Sequence, residues 1–196
     1  MKFKLVYNGE IKINPKHRCA HLHEIRTQLS PQLKRLTEIA PYDAIRQTLM
    51  NRKKCFREVG GAKFFPIITP ELDLLAELDV QIMHPELLNT PHADIDNRMK
   101  TLLDALKRPQ SANEVSSAMN KGETMFFLLD DDHLVTKMTI NTSHLLARPE
   151  GIGRTKIRAH SLGAAAKPLP DYDLLIIISV NIKASRGTMD NLAVIV

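Results

Sequence analysis

The chain has 196 residues, 43% of them hydrophobic and 25% charged, which favours one globular domain and excludes a largely disordered or fibrous protein. Lysine and arginine total 27 against 22 acidic residues, and the net charge of +5 is compatible with a polyanionic partner. Two cysteines cannot form a disulfide framework, the N-terminus lacks a signal-peptide pattern and no apolar run could span a membrane, so we expect a cytoplasmic protein.

The basic residues are concentrated at the front of the chain. Residues 1–60 contain 13 lysines and arginines against five acidic residues. Apolar and polar residues alternate over 2–13 around the turn signal Asn8-Gly9. This pattern predicts a strand or a small hairpin.

Two helices are predicted in the rest of this basic region. Ser30 and Pro31 have the identities that favour an N-cap and a first helical position, so the first helix is predicted to begin there. Pro41 is predicted to interrupt it. A second amphipathic helix is predicted over about 42–53.

A strand and a third helix follow in the middle of the chain. Leu78, Val80 and Ile82 alternate with polar residues, which predicts a half-buried strand over 74–83. An apolar stripe at helical spacing then predicts a helix that ends before Pro109. The stripe consists of Met99, Leu102, Leu103 and Leu106.

The remaining segments complete a mixed fold. Residues 107–125 are polar and irregular and predict a loop with a short helix. Strands are predicted over 134–146 and 172–184, the second apolar enough to be central in a sheet. The glycines and prolines of 147–170 predict a long, mobile loop. This order of elements predicts an α/β (α+β) fold in which helices cover one mixed sheet.

Charged residues that could carry chemistry precede the third helix. Asp94 and Asp96 are two residues apart, so in extended backbone their carboxylates point to the same side. Lys100 lies one helical turn beyond Asp96. The spacing predicts a pocket shared by two carboxylates and one ammonium group.

A second acidic segment, Asp130-Asp131-Asp132, directly precedes the strand predicted over 134–146. If this strand begins beside the helix that carries Asp96, three or four carboxylates converge, and their repulsion requires a cation or raised pKa values. Ligation by oxygen alone suits Mg²⁺ or Mn²⁺ and does not suit zinc. The two acidic segments together predict a divalent metal site.

Each of these signals also has a purely structural interpretation. Asp96 or Asn97 can cap the first amide groups of the helix, and 130–132 can be a solvated turn. One further group lacks the second pair of ligands that a zinc site needs and is predicted to lie at the surface. It consists of Cys19, His21 and His23.

Taken in order and spacing, the motifs resemble those of the RusA-type Holliday junction resolvases. The likeness rests on Asp-x-Asp-Asn-x-x-Lys at 94–100, Leu-x-Asp-Ala-Leu at 102–106 and the later acids 131–132 that lead into a strand. It covers roughly residues 74–146. A looser likeness extends to the first strand and to 172–184.

The resemblance implies a dimeric, Mg²⁺-dependent endonuclease that cuts two opposed strands of a four-way DNA junction near the crossover. Asp94 and Asp96 match the paired acids of the motif, and Asp132 matches its later acid. Asp131 matches the neighbouring acid and Lys100 matches the lysine. The resemblance and the chemistry of phosphodiester hydrolysis imply that the acids hold one or two ions and that Lys100 contacts the scissile phosphate.

The chain also departs from the compact members of this family. Extra length lies at 107–124 and 147–170, on either side of the acidic segment 130–132. These insertions leave the preferred branched structure less determined than the reaction type. Asp104 falls within the motif as well, and we interpret it as a residue that holds the helix in place.

Binding to a phosphate backbone requires lysine and arginine, and two groups of them are candidates. Their alternative interpretation is a solvated helix end and a solvated loop. With no Trp, three Tyr and six Phe, the chain has few residues for stacking on single strands, which favours duplex or junction contact. The predicted DNA-binding residues are Arg52, Lys53, Lys54, Arg57, Arg154, Lys156 and Arg158.

The expected function is therefore a metal-dependent endonuclease that acts on branched DNA as a homodimer, in recombination and repair. Two alternatives stay open. One is a catalytically silent nucleic-acid-binding protein that keeps the acids only for helix capping. The other is a nuclease without junction preference.

Overall fold

A computed structural model of the chain describes residues 1–12, 15–84, 95–119, 121–144, 174–188 and 191–192. The strands are β1 (Lys2–Gly9), β2 (Arg57–Val59), β3 (Ala62–Ile68), β4 (Leu74–His84), β5 (Thr124–Leu129), β6 (Val135–His144) and β7 (Leu174–Ala184). The helices are α1 (Arg18–Leu36), α2 (Asp43–Asn51) and α3 (Ile95–Leu106). Across the described ranges, no helix has the length and apolar character needed to cross a membrane.

The strands form two sheets, and the fold is a mixed α/β fold, as the order of elements predicts. The larger sheet has the order β1-β7-β4-β6, in which β7 is antiparallel to its two neighbours and β6 is parallel to β4. The smaller sheet has the order β2-β3-β5. The expectation of one mixed sheet is therefore wrong in the number of sheets.

The smaller sheet has no alternating hydrophobic pattern from which it could be predicted, because its main strands are buried on both faces. In β3 every residue except Lys63 is buried, so no alternation marks the strand. Pro66 also argues against a strand, since proline cannot donate to a ladder. Beyond Phe64, however, β5 is the only described strand paired with β3, and proline is tolerated where a strand has one partner.

The larger sheet agrees with the sequence pattern. β7 lies between β1 and β4, as its apolar composition predicts. The alternating Leu78, Val80 and Ile82 are all buried, and β1 is one strand paired with β7 rather than a hairpin. One face of this sheet contributes to the main hydrophobic core together with α1, α2 and α3.

The start of the first helix was predicted wrongly. α1 begins at Arg18, and Pro31 lies inside it. An interior proline costs about 3 kcal/mol. Leu22, Ile25 and Leu29 precede it on one buried stripe, and each contributes about 1.5–3 kcal/mol when fully buried. The burial of this stripe outweighs the local cost of proline, so the helix continues through it.

Helix α1 also covers one edge of each sheet, β1 in the larger sheet and β5 in the smaller one. The side-chain amide of Gln32 donates to Val6 O (2.7 Å) and accepts from Val6 N (2.9 Å). Gln28 makes the same pair of hydrogen bonds to Asn8 (3.1 and 3.2 Å). Ser30 Oγ accepts a buried hydrogen bond of 2.9 Å from the backbone N–H of Phe126 in β5. Ser30 thus satisfies a strand edge instead of capping a helix.

We expect Ser30→Ala to destabilise the fold by about 1–3 kcal/mol, because it leaves the buried N–H of Phe126 without an acceptor. The exposed Ser117→Ala is the matched control and should change stability by less than about 0.5 kcal/mol. Urea denaturation measures both. Equal midpoints for the two variants would contradict this role of Ser30.

Candidate functional site

A cavity of about 170 Å³ lies where α1, α3 and the turn between β5 and β6 meet. Its walls carry charges of both signs, and its polar residues come from all three segments. The lining residues are Arg18, Asn97, Lys100, Thr101, Leu103, Asp104 and Asp132. The predicted lysine and the predicted later acid therefore face one space, although they are far apart in the sequence.

A chain of alternating charges crosses this cavity. Arg18 of α1 forms an ion pair with Asp104 of α3. Lys107 Nζ lies 3.2 Å from Asp104 Oδ1 and 3.4 Å from Asp132 Oδ2, so two carboxylates share one ammonium group. Partial burial acts to lower the pKa of Lys107, but the two carboxylates outweigh it and raise that pKa above its ordinary value.

The spacing of α3 explains which side chains reach the cavity. Asn97, Lys100 and Asp104 recur at helical intervals along one face. Met99, Leu102 and Leu106 lie on the opposite face and are buried in the core. The amphipathic pattern that forms the helix therefore also aims its polar face at the turn after β5.

Arg26 fixes the end of this helix against α1. Its side chain is buried, and its guanidinium donates to the carbonyls of Asp104 (2.9 Å), Lys107 (3.4 Å) and Glu114 (3.1 Å). It also lies over the ring of Phe127 at 5.4 Å from the ring centre. Burial lowers the pKa of Arg26 to about 10, against the raising effect of nearby acids. A cation at the last carbonyls of a helix also complements its dipole.

The three consecutive aspartates have three different environments. Asp130 forms an ion pair with the buried Arg108, and its other oxygen accepts from Thr69 Oγ1 (3.4 Å). Asp131 Oδ1 accepts from the backbone N–H of Asp132 (2.7 Å) and begins a single helical turn. Asp132 keeps a side chain that is 51% exposed beside Lys107. Of the three, Asp132 is the carboxylate that faces the cavity.

The pKa of Asp131 follows from this turn. Partial burial alone would raise it. The hydrogen bonds with Asp132 and the charges of His133 and Lys107 outweigh burial and hold the pKa of Asp131 below its ordinary value. Its carboxylate is therefore stabilised as an anion by the turn in which it lies.

The paired acids of the predicted site are described only in part. Asp94 lies outside the described residues. Asp96 is exposed in the first turn of α3, so the expectation of extended backbone at that position is wrong. Counting only the described residues, Asp96 does not line the cavity, and no three Asp, Glu, His or Cys side chains form a group that could hold a metal ion.

The structure also describes only some of the predicted DNA-binding residues. Arg52, Lys53 and Lys54 are exposed after α2, while the Arg57 guanidinium donates to the backbone and side-chain oxygens of Gln110 (3.0 and 2.8 Å). The remaining predicted residues of this kind lie outside the described ranges. They are Arg154, Lys156 and Arg158.

One predicted surface residue is buried. His21 is 4% exposed, and its Nε2 accepts a 3.0 Å hydrogen bond from the backbone N–H of Lys12. Its Nδ1 lies 3.3 Å from Glu24. The prediction failed because His21 precedes Leu22 on the buried stripe of α1, which extends farther toward the N-terminus than expected.

Sequence reasoning does not identify three charged residues of the ion-pair chain as site residues. Asp104 was interpreted as structural, and Arg18 and Lys107 had no predicted role. Asp104 carried a usable signal, because it lies four residues after Lys100 and so shares its face of the helix. Arg18 lines the cavity and Lys107 pairs with Asp104 and Asp132 beside it through tertiary packing, which no local pattern indicates.

Comparisons of the chain with protein-family models, with curated proteins and with solved structures find no match. The resemblance to the junction resolvases therefore rests on the order and spacing of the motifs. Any function must be argued from the residues of the cavity and from the charges around it.

We expect the three aspartates to differ in their effect on stability. Asp130→Asn should cost about 3 kcal/mol, because it leaves the buried charge of Arg108 without its partner. Asp131→Asn and Asp132→Asn should each cost less than about 1 kcal/mol, since one keeps an oxygen for the turn and the other loses only a partly exposed ion pair. Urea denaturation of the three variants measures the order. A small loss for Asp130→Asn would contradict these assignments.

The ion pairs of Lys107 predict a dependence on pH. Lys107→Met should cost about 1 kcal/mol near neutral pH, because two carboxylates lose their shared cation. Since the pKa of Lys107 is raised in the folded state, this stabilisation is present below the pKa of the unfolded chain and is lost as the pH rises through the folded value. Denaturation of wild type and variant from neutral to alkaline pH measures the convergence. The exposed Lys121→Met is the control and should show no such trend.

Proposed function

We propose that this chain is a Mg²⁺-dependent endonuclease that resolves four-way DNA junctions by paired nicks, in recombination and repair. The observation that most directly supports the proposal is the cavity shared by Lys100 and Asp132. These two residues come from separate parts of the motif pattern. A lysine can stabilise the charge that develops during cleavage of a phosphodiester, and a carboxylate beside it can hold the metal ion.

The proposed donors are carboxylates, whose oxygens suit a hard divalent cation, although Asp96 is not among the described residues that line the cavity that Asp132 faces. The carboxylates of Asp104 and Asp132 already share one cation, the ammonium of Lys107. Asp132, with Asp94 and Asp96, would hold Mg²⁺ or Mn²⁺, which prefer carboxylate oxygens. When bound, the ion supplies charge stabilisation at the phosphate and lowers the pKa of water. Asp131 stabilises the turn by accepting a hydrogen bond from the backbone N–H of Asp132. It is included among the proposed metal ligands because the resemblance matches it to the acid that precedes Asp132.

Lys100 has the second role in the proposal. It is exposed on the face of α3 that lines the cavity, four residues after Asp96 and four before Asp104. Its ammonium group can contact a phosphate oxygen and stabilise the negative charge that develops during hydrolysis. Arg18 lines the same cavity, where it is paired with Asp104. Lys100 therefore binds and polarises, while the carboxylates hold the cation.

The proposed substrate is branched DNA. Of the 13 basic residues among the first 60, Arg26 is buried, and the others, which include the exposed Arg52, Lys53 and Lys54, provide charge for a phosphate backbone. Contacts of this kind do not depend on base sequence and weaken with salt. Two symmetric nicks need two sites related by a two-fold axis, so the proposal includes a homodimer.

The experiment that tests this function compares wild type with Asp96→Asn and Asp132→Asn on a synthetic mobile junction. We expect each variant to lose at least about a hundredfold in cleavage rate, because a carboxylate that holds the cation is removed. Junction binding should be retained, since the lost groups are anionic. Asp43→Asn, at the start of α2, is the matched control and should cleave at the wild-type rate.

The same experiment separates the alternatives. Omission of Mg²⁺ should stop cleavage, and linear duplex and flap substrates should be cut more slowly than the junction. Equal cleavage of all three substrates would indicate a nuclease without junction preference. A wild type that binds the junction but never cuts it would indicate a silent binding protein and would overturn the proposal.

A further inference from the structure

The edges of the two sheets differ in how far they are protected from pairing with another strand. The side-chain amides of Gln28 and Gln32 occupy the edge of β1. The edge of β5 is covered by Ser30 and by Arg108, whose N–H donates to Leu129 O (3.0 Å). β2 is only three residues long and carries exposed charges. Short strands, charges and covering groups are the usual means by which proteins prevent pairing at an edge.

The outer edge of β6 has fewer of these protections among the described residues: one lysine, and one irregularity near its start, where the pairing with β4 skips Thr136. The strand is ten residues long and ends the order β1-β7-β4-β6, so no described strand pairs with it on that side. It contains no proline, and Lys137 is its only lysine, arginine or acidic residue. Its side chains include Met138, which is 38% exposed. A long edge with a single charged side chain is a candidate site for strand addition.

We propose that a second copy of this chain pairs with the edge of β6, antiparallel and about a two-fold axis at Thr139. The sequence around Thr139 supports a copy of the same strand as the occupant, because two of the residue pairs on either side of Thr139 match in kind. Counted outward from Thr139, Met138 faces Ile140 and Thr136 faces Thr142. The antiparallel pair therefore places threonine opposite threonine and an apolar residue opposite an apolar residue, which stabilises a strand pair.

The two faces of the sheet are consistent with this register. Met138 and Ile140 are in register with the buried Leu78 and Val80, so both point to the core face of the sheet. Lys137 and Asn141 point to the other face, and the register sets them opposite each other across the two-fold axis. No lysine then opposes a lysine. Two four-stranded sheets become one continuous sheet.

The interface deepens the proposed function and rests on its two-fold arrangement, but on none of its chemistry. It names the surface through which the homodimer forms. A dimer without nuclease activity would leave the interface standing and refute the nuclease, while an active monomer would do the reverse. The two proposals can therefore fail separately.

Substitution at the two-fold axis tests the interface. Thr139→Lys places two lysines directly opposite each other, and Thr139→Glu does the same with two carboxylates. We expect each variant to sediment as a monomer where wild type is a dimer, and an equal mixture to form a heterodimer. Two misfolded variants would not form a dimer when mixed, so heterodimer formation would show that both variants are folded. Val6→Lys, on the same open face but in the covered strand β1, should leave the dimer intact.

Cross-linking provides a second test that does not depend on destabilisation. In a background with Cys19→Ser, mild oxidation of Thr139→Cys should yield a disulfide-linked dimer, since the residue at the axis lies opposite itself. Asn141→Cys lies opposite Lys137 and should remain uncrosslinked. A wild type that is monomeric at every concentration overturns the proposal. A dimer that survives Thr139→Lys and resists cross-linking through Thr139→Cys also overturns it.

Discussion

The buried guanidinium of Arg26 determines the geometry on which the candidate site depends. It binds the last carbonyls of α3, the carbonyl of Glu114 and the ring of Phe127, and so joins two helices, a loop and a strand at one point. A buried cation without water requires all of these partners, because its desolvation is costly. The constraint positions the polar face of α3 opposite the turn that carries Asp132.

Charge balance then decides what each acid near the cavity can do. Asp130 is neutralised by Arg108 and supports the fold, while Asp131 is committed to the turn that follows it. Asp104 and Asp132 share Lys107, which is the only ammonium group paired with both within the described part of the chain. A partly exposed pair of this kind contributes little to stability, so separating Asp132 from Lys107 costs the fold little.

Helix α1 also has a structural role at the edges of the two sheets. Helix α1 uses two glutamines and a serine to satisfy backbone groups of β1 and β5, because an unpaired edge invites another chain. The same helix therefore builds the core, one wall of the cavity and two covered edges. β6, which lies at the far edge of the larger sheet, has no such cover among the described residues.

Local pattern alone determined α3, the alternation of β4 and the central place of β7, because these depend on the periodic burial of their own residues. The spacing of the motifs also identified Lys100 and Asp132 as candidate site residues. Tertiary packing decided that α1 continues through Pro31, that a doubly buried strand forms at Ala62–Ile68 and that Arg18, Asp104 and Lys107 meet. Those outcomes depend on partners distant in the chain, whose burial and charge outweigh local preference, and no short window of sequence contains them.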